Sequence, residues 1–179
     1  MIEYYTFKHS GESDSYKDEV YLTVVPSVTV AVFYGSALKT QSKISPMMFS
    51  GLLAEVSNDC DFNRMCGVLD ERLPGNAEYL VLRIEGSQIA CFRRGGVSAR
   101  IVINGDLRLL PNGIFGLNTG DRILVATNNF YKYLTNEGIL ADALVTDSCS
   151  EWMNLLVRRI SDANQLKCGN LSAVTLLVR

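Results

Sequence analysis

Apolar positions along the chain follow two rhythms. Residues 19–25 and 28–33 are rich in β-branched and aromatic side chains and are parted only by Pro26-Ser27, which predicts an antiparallel pair joined by a tight reversal. The spacing then turns helical. Phe49, Leu52, Leu53 and Val56 follow Ser45-Pro46, an N-cap and a first-turn proline, and predict an amphipathic helix. Phe62, Met65, Cys66, Leu69 and Leu73 form the stripe of a second helix, closed by Pro74-Gly75-Asn76. From Glu78 the pattern is β again: 79–84, 88–92, 98–103 and 107–110, punctuated by Gly95-Gly96 and Asn104-Gly105. Asn-Gly between apolar runs signals a hairpin because its central residues tolerate positive φ. This run reads as a β-meander.

Residues 122–126 predict one more strand, and 134–144 and 152–160 predict helices. Trp152, Leu155, Leu156 and Ile160 lie on one stripe of the second, with Ser150 as its cap. Residues 172–178 close the chain as a nearly all-apolar strand, while the residues before Glu19 read as a polar opening. Strands and helices in segregated runs imply α+β architecture. A four-layer α-β-β-α sandwich, two antiparallel sheets face to face with helix pairs outside, would bury every stripe.

Composition narrows the function. The 179 residues suit one domain, 1–179, with 47% hydrophobic and 20% charged residues. Seventeen basic against 19 acidic groups leave a formal charge of -2, which gives no basic field for a nucleic-acid backbone. The opening residues lack the basic flank and apolar core of a signal peptide, and no apolar run approaches a membrane span, so a cytoplasmic protein with no membrane partner is expected. Cys60, Cys66, Cys91, Cys149 and Cys168 are scattered and read as reduced core residues. With no CxxC pair and a single histidine, His9, an ordinary zinc site is excluded.

Several segments in order resemble the motifs of the metal-dependent protein serine/threonine phosphatases of the 2C type, the PPM family. Tyr16-Lys17-Asp18 stands where that family has Asn-Glu-Asp before a strand, and Tyr34-Gly35-Ser36-Ala37-Leu38-Lys39 where it has Asp-Gly-x-Gly-Gly-His. Glu85-Gly86-Ser87 is loosely similar to its Gly-Asp-Ser. Gly120 to Asn129, ending in Thr127-Asn128-Asn129, is similar to Gly-Asp-x-Leu-Leu-Leu-x-Ser-Asp-Gly, and Gly169-Asn170-Leu171-Ser172 to the closing Asp-Asn-x-Thr.

The resemblance implies a fold kept and a charge lost. Family carboxylates at these strand ends hold two Mg²⁺ or Mn²⁺ ions, which require several anionic oxygens. Here Tyr34, Asn128 and Gly169 replace aspartates, Lys39 replaces the histidine, and Asp18 is the matched acid. Glu12, Ser13, Asp14 and Ser15 stand where an arginine often grips the substrate phosphate. Tyr34, Gly35, Lys39, Asn128, Asn129, Gly169 and Asn170 are therefore expected to be degenerate active-site positions, with no catalytic residue, no metal and no cofactor.

Plainer roles compete at each position. Asp18 reads as an exposed acid at a strand start, against residual metal ligation. Tyr34 is equally a structural aromatic or a plug of the vacated site, and Asn128-Asn129 is loop geometry before amide recognition. His9 reads as a surface residue, Arg93-Arg94 as a solvated hairpin tip near Arg83 and Arg100 in sequence, and Met47-Met48-Phe49 as core before docking surface. The expected function is a pseudophosphatase, a protein-binding or regulatory module whose partner is a kinase or phosphoprotein. The alternatives are a divergent active phosphatase, with Mg or Mn held by Asp14, Asp18, Glu85 or Asp147, and a structural subunit of a larger complex.

Overall fold

A computed structural model describes residues 1–14, 16–35, 46–57, 61–164 and 167–179. In chain order the elements are β1 (Ile2–His9), β2 (Glu19–Thr23), β3 (Val28–Tyr34), α1 (Pro46–Val56), α2 (Phe62–Arg72), β4 (Glu78–Glu85), β5 (Gln88–Arg94), β6 (Ser98–Ile103) and β7 (Asp106–Leu109). They continue with β8 (Gly113–Gly116), β9 (Arg122–Ala126), α3 (Asn128–Tyr131), α4 (Asn136–Val145), α5 (Cys149–Asn164) and β10 (Leu171–Val178).

The strands form two sheets, ordered β1-β10-β9-β6-β7 and β2-β3-β4-β5-β8, with antiparallel pairing throughout. Successive side chains on a strand point to opposite faces. Val30, Val32, Leu80 and Leu82 accordingly face the other sheet, where they meet Ile123, Val125, Val174 and Leu176. Ala31, Phe33, Tyr79 and Val81 face outward onto Phe49, Leu53, Met65 and Leu69 of α1 and α2. On the other outer face Leu124, Ala126 and Ala173 meet Trp152, Met153, Leu156 and Ile160 of α5, together with α3 and α4. The expected four-layer sandwich is the observed architecture. Among the described residues, no helix is long and apolar enough to cross a membrane.

The differences from expectation have physical causes. The run after Glu78 is two hairpins in different sheets rather than one meander. β4-β5 belongs to the second sheet and β6-β7 to the first, so Gly95-Gly96 is a crossing between sheets. Arg94 is no solvated tip: it bonds Asp70, Pro74 O and Ala77 O and lies over Tyr79, tying the sheet to the end of α2. The polar opening contains β1, an edge strand whose exposed side blurs its alternation. The four-residue edge strand β8 was likewise not expected. Met47 and Met48 are 82% and 55% exposed while Phe49 is core. α5 begins earlier than expected, and its first turn is held by Ser148, whose Oγ accepts from Glu151 N, rather than by Ser150. Cys66, Cys91 and Cys149 are buried thiols and Cys168 is half-buried; Cys60, Ser45 and Lys39 lie outside the described residues.

Candidate functional site

One end of the sandwich collects nearly every matched position. Asp18 immediately precedes β2 and is fully buried, which corrects its reading as an exposed acid. Its Oδ1 accepts from Gly35 N at 3.1 Å, and its Oδ2 accepts from Ser172 Oγ at 2.7 Å. The carboxylate thereby joins the end of β3 to the start of β10, one strand from each sheet. Ser172 Oγ also lies 2.6 Å from the Tyr16 hydroxyl. Burial, more than the charges of Asp18 and Glu19, pushes the Tyr16 phenol above its ordinary range, against the lowering effect of the Ser172 bond. Tyr16 therefore stays a neutral hydroxyl at physiological pH.

Gly35 is glycine for a steric reason, because a Cβ there would run into the Lys17 carbonyl. The chain must pass that closely for Gly35 N to reach Asp18.

The neighbouring group is built from the start of α3 and the loop before β10. Thr127 N donates to Ser172 O at 3.0 Å, and Thr127 follows β9 as the N-cap of α3. Its Oγ1 is buried and makes no hydrogen bond among the described residues. Asn129 Nδ2 donates to Asn170 O at 3.2 Å, and a Cβ on Gly169 would come within 2.8 Å of that amide nitrogen. Asn129 thus occupies space that a side chain at position 169 would need. Across the mouth, Tyr34 pairs with Glu78 in the β3–β4 register, and Glu78 Oε2 accepts from Gly96 N at 2.8 Å. The exposed Asn128 carboxamide lies against Gly96, where a Cβ would collide with it. Tyr34 is half-buried and packs on the inter-sheet core, so part of its ring is structural.

The structure brings Asp18, Tyr34, Gly35, Asn128, Asn129, Gly169 and Asn170 to this end. It adds Tyr16, Ser172, Thr127 and Glu78, to which sequence reasoning gave no role. A signal for Ser172 existed: a hydroxyl near the start of a nearly all-apolar strand. His9, at the same end of β1, is half-buried rather than a plain surface residue; its Nδ1 accepts from Gly11 N and its ring stacks on Phe7. Glu85 and Asp147 are placed at the opposite end. Glu85 closes β4 seven residues from Glu78, about 24 Å of strand. Asp147 lies beside Arg179, beyond the far end of β10.

These groups do not fit a pair of small divalent cations. Both Asp18 oxygens already accept protein hydrogen bonds, the asparagines offer neutral oxygens, and among the described residues no three His, Cys, Asp or Glu side chains converge.

No family model matches the chain and no curated protein sequence matches it. Solved structures do. RsbX in complex with magnesium superposes with a TM-score of 0.80 at 14% identity, covering 99% of this chain and 96% of that one. The catalytic domain of the serine/threonine protein phosphatase PstP, with two manganese ions, gives 0.74 at 12% identity and 99% of each chain. A structure from the bacterial stressosome, described as a modular system adapted to control secondary messenger signalling, gives 0.72 at 13% identity, with 98% and 99% covered. At such identities the likeness is one of fold, and the fold is that of the PPM-type Ser/Thr phosphatases.

Proposed function

We propose that this chain is a pseudophosphatase: a PPM-fold protein that binds or regulates another protein and catalyses no phosphate hydrolysis. The observation that carries the reading is the fate of Asp18, whose two oxygens are used by Gly35 N and Ser172 Oγ inside the fold. A carboxylate engaged in this way is poorly placed to offset the dehydration of Mg²⁺ or Mn²⁺. Tyr34, Asn128 and Gly169 at the other motif positions supply no anionic oxygen at pH 7. The strand-end surface that carries Tyr34, Glu78 and Asn128 is then what meets the partner, a kinase or a phosphoprotein. The likeness to a stressosome structure supports a protein partner. A cytoplasmic setting accords with Cys66, Cys91 and Cys149, free thiols that burial pushes up to about 12 and keeps protonated.

Calorimetric titration of Mn²⁺ into the purified protein, with an aryl phosphate assay alongside, tests the reading. The expected outcome is neither a saturable metal heat nor turnover. Mn²⁺-driven turnover that Asp18→Ala abolishes would replace this reading with the divergent active phosphatase. Cross-linking in the native host maps the partner: contacts at Tyr34 and Asn128 support recognition at the strand ends, and contacts confined to a helix face support a structural subunit.

A further inference from the structure

β1 is an edge of the first sheet, and among the described elements only β10 pairs with it. The register is unbroken over all eight residues, with no bulge and no proline. Met1 and Arg179 exchange both backbone bonds, Met1 N to Arg179 O at 2.8 Å and Arg179 N to Met1 O at 2.7 Å. That fixes the phase of the ladder. Odd-numbered residues of β1 bond to β10, while the N–H and C=O groups of Ile2, Tyr4, Thr6 and Lys8 point away from the sheet. Tyr4 and Tyr5 are 43% and 40% exposed, and Thr6 is exposed between the outward-pointing groups. A long, unbroken edge whose one lysine, Lys8, is engaged by Glu19 at 2.8 Å is a template for another strand.

Two features identify the strand it fits. The first is self-complementarity. A two-fold axis perpendicular to the sheet at Thr6 sets Thr6 opposite its twin, Tyr4 opposite Lys8, Tyr5 opposite Phe7 and Glu3 opposite His9. Residues facing each other then share a sheet face, and outward-pointing groups meet outward-pointing groups. An ammonium faces a phenol, an acid faces an imidazole, aromatics pair with aromatics, and no like charges oppose.

The second feature is α5, which packs over β1 and β10 alike, while α4 lies toward β7. Trp152 and Arg159 mark the side of α5 that faces α4: Trp152 Nε1 donates to Ile139 O, and Arg159 pairs with Asp142 at 2.6 and 2.7 Å. About half a turn around the helix, toward the open edge, lie Ser150, Asn154, Val157 and Ser161, an uncharged row at helical spacing. Strands of a sheet sit about 4.8 Å apart, so an axis between two β1 strands places α5 about 5 Å from it and about 10 Å from its twin. Helices pack at about that distance.

We propose that the chain forms a two-fold dimer by pairing β1 with β1 of a second copy, which joins the two first sheets into one and sets α5 against α5. The interface is isologous. The two candidate sites, at the His9 end of each β1, then lie at opposite ends of the joined sheet, so each remains available to its own partner.

Sedimentation equilibrium of the full chain across a range of concentrations tests this, with circular dichroism as the folding control. The wild type is expected to show a reversible monomer–dimer equilibrium. Thr6→Lys, which brings two ammonium groups together at the axis, should weaken dimerisation about fivefold or more. Ser161→Glu should weaken it independently through α5, and both variants should keep the wild-type spectrum. A wild type that is monomeric at every concentration overturns the proposal. So does a dimer whose dissociation neither substitution changes, or a monomer that instead takes an unrelated extended peptide along β1.

Discussion

A buried hydrogen-bond network at one end of the sandwich can be set against a solvent-exposed ion pair at the other. At the end where β10 begins, Asp18, Thr127, Asn170 and Ser172 are almost wholly buried, and the contacts of Asp18 and Ser172 are with a hydroxyl and a backbone N–H. At the other end Glu3 pairs with Arg179 and Arg83 with Glu85, ion pairs with an exposed member like the Lys8–Glu19 and Arg94–Asp70 pairs that flank the buried group at the first end. A buried network is costly to break, since a group left without its partner forfeits its hydration as well. An exposed ion pair is worth little and is screened by salt. The comparison teaches that the strand ends are tied together here by a buried hydrogen-bond network around one carboxylate, where the PPM resemblance calls for charge held by metal.

The sharpest way to break this contrast is to remove the carboxylate. Asp18→Ala strips Gly35 N and Ser172 Oγ of a charged acceptor and should cost about 3 kcal/mol of unfolding free energy. Urea denaturation reads the loss. Because the site is buried, the loss should be the same at low and at high salt. A cost below about 1 kcal/mol would put the network outside the structural role given to it here.

A smaller effect sharpens how the hydroxyls share that role. Ser172→Ala and Tyr16→Phe should each cost about 1 kcal/mol, and the double variant should cost less than their sum, because the 2.6 Å bond is already lost in either single variant. Burial raises the Tyr16 phenol, so the Tyr16→Phe cost should be flat from neutral to mildly alkaline pH. Additive costs in a double-mutant cycle would mean that the two hydroxyls act separately.

Much of the fold was legible because its central elements carry local signals. β9 and the two helices of the second sheet's outer face have apolar runs or stripes that no other arrangement buries as well. β1 was illegible for the complementary reason: an edge strand half in solvent, Ile-Glu-Tyr-Tyr-Thr-Phe-Lys-His, has no clean alternation. The split of the β run between sheets was hidden too, since hairpin signals report which strands are neighbours in sequence and not which sheet they join. At the site, the resemblance to the family's motifs pointed to Tyr34, Asn128 and Gly169, whereas the bond of Asp18 to Ser172 spans 154 residues and no local pattern encodes it. The burial of Asp18 was missed for that same reason: an acid beside a strand looks solvated until its distant partners are known.

The smallest effect lies at the far end. The Glu3 carboxyl is held below its ordinary value first by the backbone N–H of Cys149 and then by the Arg179 guanidinium. Its contribution should be complete above about pH 4.5 and should fade as pH falls through the lowered folded value, because protonation removes the charge that both partners favour. Glu3→Gln should therefore cost less than about 1 kcal/mol at neutral pH and nothing once the wild-type carboxyl is protonated. High salt should shrink its Arg179 component while leaving the Cys149 bond. Thermal melts of wild type and Glu3→Gln from pH 7 to pH 3, at two ionic strengths, give the difference directly. A penalty that persists unchanged into acid would mean that Glu3 acts through packing, and the contrast between a buried network and an exposed ion pair would then fail at the ion pair.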